Sequence, residues 1–137
     1  LETLIKDLNN PKIIFNQKIS SKWAIESIKK CKNIYGFNNL DFVIGSDLIP
    51  EIFSWRNFDK IIKEVSFFII KRKGYPIESN TLKMLEANKV NFEISNLYVP
   101  NTSSSMVRLN TNYSNLPKSL FDIVKKNNLY ITTKLVE

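Results

Sequence analysis

The chain has 137 residues, 43% hydrophobic and 24% charged, which suits one domain with a buried core and excludes a disordered tail, a collagen-like fibre or a coiled coil. Its 20 Lys and Arg against 13 Asp and Glu leave a charge of +7, compatible with anionic ligands but specific for none. There is no histidine and one cysteine, Cys31, so His-based acid–base chemistry, His-containing metal sites and an intramolecular disulfide are all excluded, and a reducing, cytoplasmic setting is expected.

Leu1–Leu8 has a helical pattern, with Leu1, Leu4, Ile5 and Leu8 on one face and Asn9-Asn10-Pro11 ending it. The start at Leu1 reads as a cut in a longer protein, and the whole of 1–137 as a single domain. Lys12–Asn16, with Ile13-Ile14-Phe15, is a strand candidate. Ser20-Ser21 offers a cap for a helix to about Tyr35, stopped by Gly36, with Ala24, Ile25, Ile28 and Cys31 as its apolar stripe. Strand Leu40–Ile44 runs into the turn Gly45-Ser46-Asp47 and a short helix. A Trp55 loop, a helix over about Phe58–Lys63 and a second apolar strand, Val65–Ile70, follow. Arg72–Pro76 is a loop, Thr81–Asn88 a helix, Phe92–Ile94 a short strand, and Pro117 opens a last helix to about Asn127. Strands that alternate with helices and read as continuous apolar runs predict an α/β fold around a mostly parallel sheet. The longest apolar stretch, at Phe67–Ile70, is far too short to span a bilayer.

In such a sheet, ligands bind outside the carboxyl ends of the strands. Three stretches are candidates. Gly45 permits close approach to the backbone and Asp47 can accept from a ribose hydroxyl; the plain alternative is a turn with a capping Asp. Ser104 and Ser105 offer hydroxyls to an anion and Arg108 follows one turn later, able to fork onto the same phosphate; the alternative is a capped surface helix. Trp55, beside Arg56, can stack on a flat heterocycle or anchor the loop in the core, and Arg72 can meet a phosphate or remain solvated. Neither a P-loop, a GxGxxG turn nor a zinc-type cysteine pattern occurs.

Phe42-Val43-Ile44-Gly45-Ser46-Asp47-Leu48, then Trp55, then Phe67–Tyr75 with Arg72-Lys73-Gly74-Tyr75, then Ser103-Ser104-Ser105-Met106-Val107-Arg108, then Leu116-Pro117 and Leu129-Tyr130, form an ordered set. It resembles the bacterial nicotinate mononucleotide adenylyltransferases: strand–GxD, tryptophan loop, strand–R-x-G-Y, I-S-S-T-x-I-R and a closing LY. Ser20–Lys22 and Glu26–Ile28 resemble the cyanobacterial branch most. The resemblance implies a Rossmann-like nucleotidyltransferase fold. This chain would be the C-terminal portion of that domain, without the family's histidine motif for ATP and without a first βαβ unit of roughly 30 residues. It implies an enzyme transferring the adenylyl group of ATP to nicotinate mononucleotide, with Mg²⁺ carried on the ATP phosphates, and a fragment inactive alone. By position, Ser104, Ser105, Arg108 and Arg72 would serve ATP, and Gly45, Ser46, Asp47, Trp55 and Arg56 the mononucleotide. No catalytic residue and no metal ligand is expected within the chain. Ala24 stands where the family often has threonine near the pyridine carboxylate; Thr102 replaces an isoleucine and Ser105 a threonine. The competing readings are a related nucleotidyltransferase of the pantetheine-phosphate or nicotinamide-mononucleotide type, and a basic nucleic-acid-binding domain. Against the last, the lysines are scattered and not interleaved with aromatics. The expected partners are thus ATP and nicotinate mononucleotide, with self-association open and neither nucleic acid nor membrane.

Overall fold

The computed structural model describes residues 2–99 and 116–127. It divides into two compact units, one of residues 1–15 with 102–137, the other of residues 16–101.

The first unit holds α1 (Glu2–Leu8), which ends at Asn9 in a left-handed conformation, and α6 (Lys118–Lys126), which follows Pro117. These two helices lie against each other, and Val124 of α6 is buried. Proline suits this start because the first helical N–H groups have no partner within the helix.

The second unit is built on three strands: β1 (Asp41–Gly45), β2 (Ser66–Arg72) and β3 (Phe92–Val99), all parallel, in the order β1-β2-β3. Asp41 pairs with Ser66, and Ile44 with Ile69. Parallel neighbours need crossovers, and helices supply them. Between β1 and β2 lie a single 3₁₀ turn (Ser46–Leu48), α3 (Ile49–Ile52) and α4 (Phe58–Glu64); between β2 and β3 lies α5 (Ser79–Ala87). Helix α2 (Ala24–Tyr35) precedes the sheet and closes on Gly36, whose φ of 69° places it in the left-handed region and lets its N–H reach the Lys32 carbonyl at 2.8 Å.

The core gathers Ile25 and Ile28 from α2, Ile44 from β1, Ile49 and Ile52 from α3, Ile61 from α4, Phe67 and Ile69 from β2 and Leu85 from α5, with Val65 and Val90 at strand entries. Each such side chain contributes about 1.5–3 kcal/mol on burial, so this β-branched, isoleucine-rich set fixes how the helices lie on the sheet. Between β2 and β3 the register slips after Ile69↔Ile94, so that Lys71 pairs with Tyr98. The extra residues are in β3, where the buried Ser95 hydroxyl accepts from the Leu97 N–H at 3.0 Å.

Several expectations shift. Lys12–Asn16 forms no strand: Ile14 is 68% exposed, and Asn16 instead caps a 3₁₀ turn (Gln17–Ile19) by accepting from the Lys18 N–H. Among the described residues these three apolar side chains meet no partner strand that would hold them extended. Helix α2 starts at Ala24, with Trp23 in the cap position, because the Ser21 hydroxyl donates to the Glu26 carboxylate at 2.6 Å rather than capping the backbone. Cys31 is half-buried and stands outside the core cluster. β3 runs to Val99, five residues beyond the expected Ile94, because pairing resumes after the bulge.

Candidate functional site

β1 and β2 end side by side, and their carboxyl ends carry a tight polar network. The strand β1 stops at Gly45, where the chain turns into the Ser46–Leu48 helix. A Cβ on Gly45 would overlap Asp47 Oδ1 and lie 2.8 Å from Arg72 Cδ, so any larger residue must displace one of these side chains. Ser46, almost fully buried, donates its hydroxyl proton to the Tyr75 carbonyl at 2.7 Å and accepts from the Arg72 backbone N–H at 3.0 Å. Arg72 Nη1 meets Asp47 Oδ2 at 2.5 Å, with both side chains about four-fifths buried at 20% and 19% exposure. The Arg72 guanidinium also sits 5.8 Å from the Tyr75 ring centroid. Tyr75 returns over Arg72 through a turn in which Gly74 takes a φ of 86°. The other oxygen, Asp47 Oδ1, is buried and has no hydrogen-bond partner among the described residues. A carboxylate oxygen in that state keeps unused acceptor capacity. Beside the network a pocket of about 220 Å³ is lined by Arg72, Gly74, Tyr75, Ile77 and Tyr98.

A second pocket, of about 310 Å³, is lined by Lys22, Trp23, Ala24, Ser54, Trp55 and Arg56. Trp55 is half-buried. Its ring meets Phe42 edge-on at 5.9 Å and lies 6.4 Å from Phe67, so the core grips one side of the indole while the pocket takes the other. Asn57, left-handed at φ 58°, turns the chain from Trp55-Arg56 into α4. Lys22 Nζ lies 4.9 Å and Arg56 Cζ 5.2 Å from the Trp23 ring centroid. A further depression lies elsewhere: a polar groove of about 510 Å³ at the amino ends of β1 and β2, lined by Asn38, Asp41, Lys63, Glu64, Ser66 and Asn91 among others. There Asn91 donates to Ser66 at 2.6 Å and Glu64 pairs with Lys32 at 2.6 Å.

Of the residues singled out from sequence, Gly45, Ser46, Asp47 and Arg72 come together in one network. Trp55 and Arg56 share the second pocket. Ser104, Ser105 and Arg108 lie outside the described residues. Sequence reasoning placed Arg72 apart from Asp47, and it missed Lys22 and Trp23. The signal available for the latter pair was a Lys-Trp at the head of a helix whose next residue, Ala24, had already been placed near the acceptor ring. Among the described residues no group of three His, Cys, Asp or Glu is placed to hold a metal ion, and Asp47 is ion-paired. The described residues therefore form no metal cage.

The parallel sheet with its crossover helices, together with its likeness to solved adenylyltransferases, gives a Rossmann-like nucleotidyltransferase fold. Within that class the chain is similar to nicotinate-nucleotide adenylyltransferases. No family model matches it. A probable nicotinate-nucleotide adenylyltransferase of Methylacidiphilum infernorum is 23% identical over 122 residues, covering 88% of this chain and 58% of that protein. The nicotinate-nucleotide adenylyltransferase of Bacillus subtilis is 26% identical over 108 residues, 79% of this chain and 55% of that protein. This chain thus spans a little over half the length of these relatives. The Plasmodium falciparum nicotinic acid mononucleotide adenylyltransferase, solved with NaAD, superposes with a TM-score of 0.68 at 26% identity, covering 93% of this chain and 70% of that one. The same enzyme solved with APC gives 0.67.

Proposed function

We propose that this chain is the acceptor-binding part of an adenylyltransferase that joins ATP and nicotinate mononucleotide, giving nicotinate adenine dinucleotide and pyrophosphate. The observation that carries the reading is that one segment, residues 45–56, contributes both to a strand-end network and to a tryptophan pocket. The first suits a sugar and its phosphate, the second a flat ring. In the reaction the mononucleotide phosphate oxygen attacks the α-phosphorus of ATP in line and the bond to pyrophosphate breaks, with no covalent enzyme intermediate. The protein's part is positioning and charge stabilisation. Mg²⁺ belongs here to the MgATP substrate, on its phosphate oxygens and water.

In this reading Gly45 leaves the room in which Asp47 and Arg72 meet at the strand end, and the Asp47 carboxylate accepts a sugar hydroxyl proton. Arg72, held by Asp47, faces the nucleotide phosphates on the ATP side. Trp55 stacks on the pyridine ring and the backbone at Arg56 meets its carboxylate. Ser104, Ser105 and Arg108 hold the ATP phosphates. The transition-state contacts supplied by the family's histidine motif are not made by this sequence, so the 137-residue chain should bind the acceptor but turn over little. Charge stabilisation is usually the largest single catalytic contribution. The setting is cytoplasmic; among the described residues no helix is long and apolar enough to cross a membrane.

Calorimetric titration with nicotinate mononucleotide, nicotinate adenine dinucleotide, phosphopantetheine and a single-stranded polynucleotide tests the reading. Binding of the first two with no binding of phosphopantetheine is expected. Tight polynucleotide binding that falls by about 0.7–0.9 log units per log unit of salt for each phosphate contacted, with no mononucleotide binding, would overturn it.

A further inference from the structure

We infer that Ser46 is a positioning residue: its hydroxyl extends the β1–β2 ladder one step beyond the end of β1 and so sets where Arg72 stands at the nucleotide. This rests on the adenylyl-transfer reading above and deepens it, moving Ser46 from the ligand's side of the site to the framework behind it.

In a parallel sheet the N–H groups of a central strand point alternately to its two neighbours. Along β2, the Ser66 N–H goes to the Leu40 carbonyl on the β1 side at 3.0 Å, and the Phe67 N–H to the Asn91 carbonyl on the β3 side at 2.8 Å. By the same alternation the Arg72 N–H faces β1 and the Lys73 N–H faces β3, where the Val99 carbonyl takes it at 3.0 Å. β1, however, ends at Gly45, opposite Ile70. Were that strand to continue, its register would offer Arg72 the Ser46 carbonyl. The chain has instead turned into the Ser46–Leu48 helix, and the Ser46 hydroxyl oxygen accepts the Arg72 N–H at 3.0 Å in the carbonyl's place. A backbone donor at a part-buried strand end needs such a partner.

The same hydroxyl closes a ring of hydrogen bonds. Ser46 donates to the Tyr75 carbonyl at 2.7 Å, the Tyr75 N–H goes to the Arg72 carbonyl at 3.1 Å, and the Arg72 N–H returns to Ser46. One oxygen thus fixes both ends of the Arg72–Tyr75 turn. Ser46 is itself only 5% exposed and its proton is spent on Tyr75, so its effect on a ligand passes through Arg72. Asp47 orients the guanidinium, and Ser46 fixes the backbone from which that side chain springs. With both ends held, the cation is preorganised and meets developing charge without reorganising.

The test uses the 137-residue chain with Ser46→Ala, which removes the oxygen, and Ser46→Cys, which keeps the shape with a weaker donor and acceptor and so leaves no cavity. Tryptophan fluorescence is titrated with nicotinate mononucleotide, which occupies the acceptor side, and with nicotinate adenine dinucleotide, which also spans the side of Arg72. A hydrogen bond of ordinary worth corresponds to about fivefold in affinity. Ser46→Ala should therefore weaken the dinucleotide by about fivefold and leave the mononucleotide within about twofold, with Ser46→Cys shifted the same way by less. Hydrogen exchange gives the spectroscopic signature. In wild type the Arg72 amide should be protected although β1 stops short of it, and in Ser46→Ala its protection should fall at least about fivefold while that of Phe68 in β2 holds. An Arg72 amide that exchanges in wild type like an unprotected one overturns the inference, and that measurement needs no variant. So does a Ser46→Ala chain that weakens both ligands equally, as a purely structural serine would, or neither, and so does a wild-type chain that binds the mononucleotide but not the dinucleotide. In these cases mononucleotide binding by wild type leaves the acceptor-binding reading standing. If wild type binds neither ligand, that reading falls and the inference with it.

Discussion

The strand-end network and the tryptophan pocket are two solutions to holding a charged ligand. In the first, Asp47 and Arg72 are four-fifths buried and bonded to each other, Ser46 bridges Arg72 to Tyr75, and Gly45 fills a gap that admits no Cβ. In the second, Lys22 and Arg56 are exposed and rest on an indole, with no carboxylate bonded to either among the described residues. The difference teaches where each region's free energy goes. Charges that satisfy one another inside the fold make its stability depend on both partners staying in place, and they fix geometry before any ligand arrives. Charges held apart from counter-ions add little to stability and keep their interaction for the ligand.

Removing one partner of the buried pair should therefore have the largest effect. Asp47→Ala leaves the Arg72 guanidinium without its carboxylate in a site only 20% exposed. Breaking such a pair costs about 3 kcal/mol, the lower end of the range for fully buried pairs. Urea unfolding measures this directly; a loss below about 0.5 kcal/mol would erase the contrast with Lys22 and Arg56. Gly45→Ala comes next. Its methyl group must push Asp47 or Arg72 aside, at about 2 kcal/mol, in the range of other overpacking changes. Because the displaced groups are those proposed to meet the acceptor's sugar, its affinity for nicotinate mononucleotide should fall together with stability. An unchanged affinity would remove Gly45 from the site and leave it a turn residue.

How far these regions were legible in the sequence follows the same division. The three strands, the Gly45 turn and the helix closing at Gly36 could be read because their causes are local: apolar runs, a glycine where the chain reverses, a proline before α6. The extent of β3 could not, because its last residues are held by pairing across a bulge to Lys71 and Arg72, a register that only the assembled sheet defines. Ile13-Ile14-Phe15 has the composition of a strand but no neighbour to pair with among the described residues, and composition alone cannot supply one. In the candidate site, Gly45, Ser46 and Asp47 were visible as a contiguous turn. That Arg72, 25 residues after Asp47, closes onto that turn depends on β1 and β2 ending level, through Gly45↔Ile70. Lys22 and Trp23 escaped notice because a lysine beside a tryptophan has no periodicity to mark it. Their meaning comes from Arg56, which reaches the same ring from the other side of β1 in sequence.

A second ion pair, between the two extremes, sharpens the comparison with the smallest expected effect. Lys32 of α2 and Glu64 of α4 meet at 2.6 Å with side chains 24% and 38% exposed. The hydrogen bond from Lys32, helped by its charge and by the more distant Lys29, holds the Glu64 carboxyl below its ordinary value of 4.5. A carboxyl whose folded value is depressed stabilises the fold above its unfolded value, and that contribution is lost as pH falls through the folded value. So Glu64→Gln should cost a few tenths of a kcal/mol at pH 7, as partly exposed pairs do. The gap between wild type and variant should begin to close below about pH 4.5 and vanish under the folded value. Unfolding curves for the two proteins at pH 7, 5, 4 and 3 decide it. A gap that persists unchanged to pH 3 would mean that Glu64 contributes through packing between α2 and α4 rather than through its charge. The pair would then not belong on the same scale as Asp47 and Arg72.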